Sequence, residues 1–251
     1  MKIQYYSDLH LEFPENKMFI KNNPIKQYGD ILILAGDIVP FKIMNEYEYF
    51  FDYISDNFKY TYWIPGNHEY YHNDIATKGN SINEKIRDNL FLVNNISVKH
   101  EDVKFIFSTL WSQINQSNSW QIQRGMSDFH IIKNNGIPFT TNHYNVIHKE
   151  SLEFIIDELK NKSDKTVVAT HHVPTFYHYP EEYKGSVLNS AFAVELYHLI
   201  EKSNIDYWIY GHSHNNTPDF TIGKTKLICN QLGYVKYDEN KDFRNNKIIR
   251  F

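Results

Sequence analysis

Five short apolar runs, each followed at once by a turn that holds Asp, Asn or His, constrain the fold of this chain more than any other feature. The runs are strand-sized and rich in β-branched or aromatic residues, as in DILILA at 30–35 and YTYWI at 60–64. The five turns begin at Ser7, Gly36, Pro65, His171 and Gly211. Because ligands of open α/β sheets bind outside the carboxyl ends of the strands, these polar side chains are expected to meet in one crevice.

The order of elements predicts an α/β fold. Strand-like and helix-like segments alternate, which favours largely parallel central pairings, and the closely spaced strands of the C-terminal third add some antiparallel pairing. The predicted strands are 2–6, 30–35, 60–64, 103–108, 165–170, 206–210, 224–229 and 247–251, and the predicted helices are 45–58, 81–89, 142–160 and 191–202. Since no linker or repeat interrupts the pattern, we expect one domain over residues 1–251.

Composition excludes several classes of protein. Aromatic residues make up 16% of the chain, which is incompatible with global disorder, and no apolar run approaches the roughly 20 residues that cross a bilayer. A net charge of -4 argues against a nucleic-acid partner held by bulk charge. Cys229 is the single cysteine and the N-terminus runs directly into a strand, so a cytoplasmic location is expected.

The polar turns supply side chains that suit metal ions. The seven candidate ligands are Asp8, His10, Asp37, Asn67, His171, His212 and His214. Carboxylate, imidazole and amide oxygen without thiolate favour ions such as Mn, Fe or Zn. Seven ligands are too many for one ion but suffice for two that share a carboxylate, and Asp37, alone after its glycine, is the natural bridge. Two ions about 3.5–4 Å apart are a standard device for attacking a phosphoryl centre.

Three glycines directly precede candidate ligands in these turns. Gly36, Gly66 and Gly211 stand before Asp37, Asn67 and His212. A residue without Cβ permits a sharp turn and a close approach of the backbone, which a crowded metal centre requires.

The order of these motifs resembles that of the calcineurin-like metallophosphoesterases. Gly-Asn-His-Glu at 66–69 and Gly-His-Ser-His at 211–214 are its most specific pieces, and the motifs span residues 8–214. The segments 7–12, 170–174, 188–192 and 229–230 are similar to those of small stand-alone bacterial members. The resemblance implies a four-layer α/β/β/α sandwich with two mixed sheets, and a dinuclear metal centre at the C-terminal strand ends.

The resemblance also implies roles for individual residues. Asp8, His10 and His214 would hold one metal, Asn67, His171 and His212 the other, with Asp37 bridging and His68 as the general acid. The implied reaction is in-line attack by a metal-activated hydroxide on a phosphoester, with His68 protonating the leaving group.

Some positions depart from the family pattern or leave a choice. The segment 36–40 lacks the further Asp and Arg of the Ser/Thr protein phosphatases, which argues against that activity. Where an arginine often follows in bacterial members this chain has Leu232, and Arg124 is a loop cation that could take its place. Of the adjacent His171 and His172, we favour His171 as ligand because it directly ends its strand. The tyrosine-rich segment 177–183 either caps the cleft or simply packs.

The leading hypothesis is a metal-dependent phosphoesterase acting on a small phosphomonoester or phosphodiester, and the sequence leaves both ester types open. One alternative is a nuclease of the same superfamily, against which the acidic charge and the lack of a Lys/Arg cluster beside the motifs argue. The other is a non-catalytic metal-binding scaffold, which is disfavoured because every expected ligand position is filled.

Overall fold

The computed structural model describes residues 1–161 and 163–251. The strands are β1 (Lys2–Tyr6), β2 (Ile31–Ala35), β3 (Tyr60–Ile64), β4 (Ile82–Arg87), β5 (Leu90–Asn94), β6 (Ile96–His100), β7 (Val103–Ser108), β8 (Lys133–Asn134), β9 (Ile137–Pro138), β10 (Lys165–Thr170), β11 (Tyr207–Tyr210), β12 (Phe220–Ile222), β13 (Thr225–Cys229) and β14 (Ile248–Arg250). The α-helices are α1 (Pro14–Asn22), α2 (Glu48–Asn57), α3 (Ser119–Gly125), α4 (Asp128–Ile131), α5 (Thr141–Lys160) and α6 (Tyr197–Lys202).

Twelve of the strands form two six-stranded sheets. The first sheet has the order β14-β1-β2-β3-β5-β4 and the second the order β12-β13-β11-β10-β7-β6. Pairing is parallel in the middle of each sheet and antiparallel at the edge strands β14, β4, β12 and β6. The prediction of parallel centres with antiparallel additions near the C-terminus is therefore confirmed, and so is that of two mixed sheets.

Alternating residues along each strand divide the interior into three apolar layers. Ile33 of β2 and Phe105 of β7 belong to the cluster between the two sheets. Their neighbours point outward: Trp63 of β3 packs in the cluster that includes α2, and Trp208 of β11 packs in the one that includes residues of α5 and α6. Each fully buried side chain of this size contributes about 1.5–3 kcal/mol. The result is the expected four-layer α/β/β/α sandwich, with both tryptophans in the core.

The predicted helix at 81–89 is wrong, because this segment forms β4 and a turn. Ile82 and Ile86 are four residues apart, a spacing that places them on one face of either a helix or a strand. The chain turns at Asp88 and Asn89 and returns as β5, with which β4 pairs antiparallel. A partner strand directly downstream supplies backbone hydrogen bonds that an isolated helix of this length would have to provide alone.

The predicted helix at 191–202 is confirmed only in its second half, as α6. Upstream, the backbone at Ala193 and Val194 bridges to Val173 instead of continuing a helix. The helices expected at 45–58 and 142–160 are present as α2, preceded by a 3-10 segment (Phe41–Tyr47), and as α5. Within the described residues, none of the helices combines the length and apolar character needed to span a bilayer.

Candidate metal centre

The seven predicted ligands converge at one rim of the sandwich. The first sheet contributes the turns after β1, β2 and β3, and the second sheet the turns after β10 and β11. Six of the side chains are buried and the seventh, His214, is partly exposed. The first sheet supplies Asp8, His10, Asp37 and Asn67, and the second supplies His171, His212 and His214.

The backbone at five of these residues lies in the left-handed region. Their φ angles run from 46° to 71°, at Asp8, His10, Asp37, His212 and His214. For a residue with a Cβ this conformation costs roughly 1–2 kcal/mol. Such strain concentrates where the surrounding structure must aim a side chain at a functional point. The turns are therefore built to direct these groups inward.

The three glycines of the turns allow the predicted ligand side chains to lie close to the backbone, as the sequence predicted. A Cβ on Gly211 would lie 2.7 Å from Oδ2 of Asp8, and one on Gly66 would lie 2.7 Å from Nε2 of His171. A Cβ on Gly36 would overlap the ring of His171, and the φ of Gly36 is +93°. All three positions thus require glycine because the side chain of a predicted ligand occupies the space beside them.

One group of converging atoms comes from Asp8, His10, Asp37 and His214. The Nδ1 atoms of the two histidines donate to carboxylates: His10 to Glu12 at 3.2 Å and His214 to Glu239 at 2.8 Å. Their Nε2 atoms face each other at 2.9 Å. In the neutral rings both Nε2 atoms carry lone pairs, which a proton or a metal cation can share at this distance. The donor chemistry therefore fits a metal ion.

A second group comes from Asp37, His171 and His212. Nδ1 of His171 donates to the carbonyl oxygen of Ala35 at 3.0 Å, so Nε2 carries the lone pair of the neutral ring. This Nε2 atom lies 3.0 Å from Nδ1 of His212, 3.2 Å from Oδ1 of Asn67 and 3.4 Å from Oδ2 of Asp37. An imidazole nitrogen, an amide oxygen and a carboxylate oxygen thus surround this atom, and Asp37 belongs to both groups, as a bridging ligand would.

The amide of Asn67 is oriented by a carboxylate behind it. Its Nδ2 donates to Oδ1 of Asp128 at 3.1 Å, and the same oxygen accepts from the hydroxyl of Tyr71 at 2.8 Å. Because the amide nitrogen is engaged, the amide oxygen faces His171. Partners of this kind typically change metal affinity or activity by about 10–100-fold when removed.

The electrostatics of the centre favour positive charge. Burial alone would raise the pKa of Asp37, yet His171 and His68 hold it well below its usual range. Burial opposes protonation of His171, but Asp37 outweighs burial and raises the pKa of His171 to about 9. Similarly, burial opposes a charge on His214, while Asp8 and Glu239 raise its pKa to about 10. The carboxylates are ionised and attract protons or metal cations to the same point.

His68 lies beside both groups and lines the cavity next to them. Its backbone N–H donates to Oδ1 of Asp37 at 2.9 Å, and its ring stacks on Tyr71 with centroids 4.0 Å apart. Nδ1 donates to Oε1 of Glu12 at 2.9 Å. Burial works against a charge on this ring, but Asp37 and Glu12 outweigh burial and raise the pKa of His68. This is a position from which a side chain can give a proton to a leaving group.

Glu69 joins the turns after β2 and β3 by accepting four hydrogen bonds. Its two oxygens accept from the backbone N–H groups of Asp37, Ile38 and Gly66 at 2.7–2.9 Å and from Nε1 of Trp63 at 3.0 Å. Four donors match the ionised carboxylate, although burial raises its pKa to about 8. The carboxylate fixes the backbone that presents Asp37.

The supporting acids Glu12, Asp128 and Glu239 were not predicted as site residues. Glu12 stands two positions after His10 in the segment 7–12, and this proximity was the one available signal for it. Asp128 and Glu239 lie far in sequence from the residues that they orient, and no spacing indicates them.

A cavity of about 370 Å³ opens beside the two groups of converging atoms. Aromatic side chains form much of its wall: Tyr71, Tyr179, Tyr183, Phe192 and Tyr234. Two members of the tyrosine-rich segment 177–183 thus reach the cavity. Among the lining residues in the described part of the chain there is no Lys or Arg.

Arg124 and His172 lie apart from the converging atoms. The Arg124 guanidinium lies over the ring of Trp120, 4.7 Å from its centroid, and does not line the cavity. His172 is buried, and its Nδ1 donates to the carbonyl oxygen of Thr109 at 3.2 Å. His171 is the member of this pair that joins the second group.

Comparison with known proteins agrees with this architecture. The family of calcineurin-like phosphoesterases matches residues 1–216. An uncharacterized protein of Acanthamoeba polyphaga mimivirus is 33% identical over 260 residues, covering 92% of this chain and 91% of the viral protein.

A solved structure shares the fold. A phosphopantetheinyl hydrolase from Mycobacterium tuberculosis superposes with a TM-score of 0.68 at 14% identity, over 94% of this chain and 90% of that one. A dimetal phosphatase from Danio rerio has a TM-score of 0.42 at 10% identity, over 92% and 87% of the two chains. The chain therefore belongs to the calcineurin-like phosphoesterase family and is a metal-dependent enzyme that hydrolyses phosphoesters.

Proposed function

We propose that the chain hydrolyses a small phosphomonoester or phosphodiester at a dinuclear metal centre built from the two groups of converging atoms. The proposed ligands are Asp8, His10 and His214 for one ion, Asn67, His171 and His212 for the other, and Asp37 for both. The observation that carries the proposal is the convergence of imidazole nitrogens with carboxylate and amide oxygens in two sets that share one carboxylate. These atom types are the ligands that a divalent cation takes from a protein.

The metal ions, when bound, would supply an activated water nucleophile and positive charge for the phosphoryl oxygens. The mixture of nitrogen and oxygen ligands suits Mn, Fe or Zn. His68 is the proposed general acid, because its Nε2 faces the cavity, 3.4 Å from the hydroxyl of Tyr234, while Nδ1 is engaged by Glu12. Asp37 holds the backbone of His68 in place, so the acid and the shared ligand are fixed relative to each other.

The cavity supports a small substrate with an apolar or aromatic part. Its tyrosine and phenylalanine walls offer stacking surfaces, and its volume of about 370 Å³ is typical of a small-molecule site. With no Lys or Arg among the described lining residues, the cavity lacks the cations that bind a nucleic-acid backbone or a polyphosphate. This supports a small phosphoester rather than a nuclease substrate.

We also infer that residues 1–251 act as one domain. The last strand, β14, pairs with the first, β1, through Lys2 and Arg250, so both ends of the chain lie in the same sheet. The core between the sheets includes residues of both sheets, so the two halves of the chain share one apolar layer.

The proposal is tested by metal analysis together with hydrolysis of model esters. Purified protein loaded with Mn, Zn or Fe is expected to bind two metals per chain and to hydrolyse an aryl phosphate or a bis-aryl phosphate. Two bound metals without turnover of either ester would favour the scaffold alternative. Turnover of single-stranded DNA or RNA, with binding that falls steeply with salt, would favour the nuclease.

The role of His68 is tested separately. His68→Ala is expected to keep both metals and to lose about 10²–10⁴-fold in kcat with poor leaving groups. With a good leaving group such as 4-nitrophenolate the loss should be smaller, since such a group needs little protonation. Equal losses for both kinds of ester would count against an acid role.

A further inference from the structure

We propose that Glu12 is the positioning residue of His68, holding its ring so that Nε2 faces the substrate. This inference rests on the proposed function, because it concerns the residue that would protonate the leaving group. It gives a role to a carboxylate that is neither a proposed metal ligand nor the proposed acid.

The geometry around Glu12 carries the proposal. Its Oε1 lies 2.9 Å from Nδ1 of His68 and 3.2 Å from Nδ1 of His10, and its side chain is only 13% exposed. Because a carboxylate only accepts, Nδ1 of His68 must carry the hydrogen of this bond. The other ring nitrogen, Nε2, is then the one directed toward the cavity.

No other carboxylate of the described residues is hydrogen-bonded to the His68 ring. Asp37 accepts from the backbone N–H of His68 rather than from the ring. Asp128 is engaged by Asn67 and Tyr71. The turn after β2 continues beyond Asp37 as Ile-Val-Pro and offers no further acid. Among the described carboxylates, Glu12 is therefore the one placed to choose between the two orientations of the ring.

Two aromatic contacts of His68 set the plane of the ring, and its other polar contact, from Nε2 to the hydroxyl of Tyr234, is longer at 3.4 Å than the 2.9 Å contact to Glu12. The ring stacks on Tyr71 at 4.0 Å and meets the edge of His10 at 4.4 Å between centroids. Stacking tolerates a ring flip, which exchanges carbon and nitrogen positions in the same plane. A hydrogen bond at Nδ1 does not tolerate it, because the flip would bring a carbon to Glu12.

The test compares Glu12→Ala with Glu239→Ala, a matched control. Both carboxylates accept from Nδ1 of a proposed ligand histidine, Glu12 from His10 and Glu239 from His214, but Glu12 alone also contacts His68. The readouts are metal content and the ratio of kcat for a poor-leaving-group ester to that for a 4-nitrophenyl ester.

Glu12→Ala is expected to lower this ratio by about 10–100-fold, the usual effect of losing an orienting partner. Glu239→Ala is expected to leave the ratio at the wild-type value. In a His68→Ala background, Glu12→Ala should lower the ratio no further, because the two residues act as a unit. Glu12→Gln keeps an acceptor oxygen and is expected to recover most of the loss.

A second readout does not depend on activity. In ¹⁵N spectra of the zinc-loaded protein, the His68 signals are assigned by their loss in His68→Ala. In the wild type, the ¹⁵N chemical shift of His68 Nδ1 should be that of a protonated nitrogen. In Glu12→Ala this chemical shift should move toward that of an unprotonated nitrogen, whereas in Glu239→Ala it should not change.

The proposal is overturned if Glu12→Ala and Glu239→Ala change the kcat ratio equally, or if the His68 signature is unaffected by Glu12→Ala. Either result would mean that Glu12 acts on the proposed metal ligand His10 and does not orient His68. If the metal-loaded wild type hydrolyses neither ester, the proposed function itself fails. The ring orientation read from the ¹⁵N spectra still tests Glu12 in that case.

Discussion

Gly66→Ala should destroy the metal centre while leaving the fold intact. The backbone of Gly66 is outside the left-handed region, so alanine meets no conformational barrier there. Its Cβ, however, would lie 2.7 Å from Nε2 of His171 and closer still to Oδ1 of Asp37. Ordinary contact begins near 3.4 Å, so both atoms must retreat by roughly 0.7 Å or more, whereas metal–ligand distances tolerate about 0.2 Å.

A ligand displacement approaching 1 Å is expected to reduce kcat by about 10²-fold and to lower the metal content below two per chain. The overpacking itself should cost about 1–3 kcal/mol of stability. The assays are elemental analysis, hydrolysis of a 4-nitrophenyl ester and thermal unfolding. Gly125→Ala is the control, since Gly125 lines the same cavity and a Cβ there would meet only Leu188 at 3.6 Å. A Gly66→Ala protein with two metals and wild-type turnover would refute the reasoning.

Three further outcomes are expected. Asp37→Asn should reduce the metal content of the protein from two ions to one or none, as measured by elemental analysis, because the residue is shared between the groups; an unchanged content would exclude it as the bridge. Removing metal with a chelator should lower the melting temperature. Restoring free metal to 100 times its Kd should raise the free energy of unfolding by about 2.7 kcal/mol. A melting temperature independent of metal would contradict this. Glu69→Gln turns an acceptor oxygen into a donor facing N–H groups and should cost about 2–4 kcal/mol in urea unfolding, whereas a near-neutral change would show that the four bonds matter little.

The strands that present the proposed ligands were predictable because their pattern is local and their meeting point follows from topology. The apolar runs at 30–35 and 60–64 appear as β2 and β3, each ending where the polar turn begins. Parallel neighbours place those turns at one rim whatever the details of packing. Asp37 and Asn67 could thus be expected to lie close together from their positions alone.

Elements without such a pattern were missed. The segment 81–89 has two apolar residues whose spacing suits either secondary structure, and only the presence of β5 as a partner decides for a strand. In the site, Glu239 reaches His214 from 25 positions further along the chain. That contact depends on the path of the C-terminal segment over the rim, which no local pattern of apolar and polar residues predicts.

The origin of the proposed ligands has a consequence for how the molecule is held together. Each ion would draw partners from both sheets: the first would tie Asp8 and His10 to His214, and the second would tie Asn67 to His171 and His212. Nδ1 of His171 already reaches across to the carbonyl of Ala35 at the end of β2. The ions would add a further link between two layers that are joined by apolar side chains and by hydrogen bonds such as that from the hydroxyl of Thr109 to the carbonyl of Pro65. Neither half of the chain could bind these ions alone, so cation uptake during folding would occur only after the two sheets have packed together.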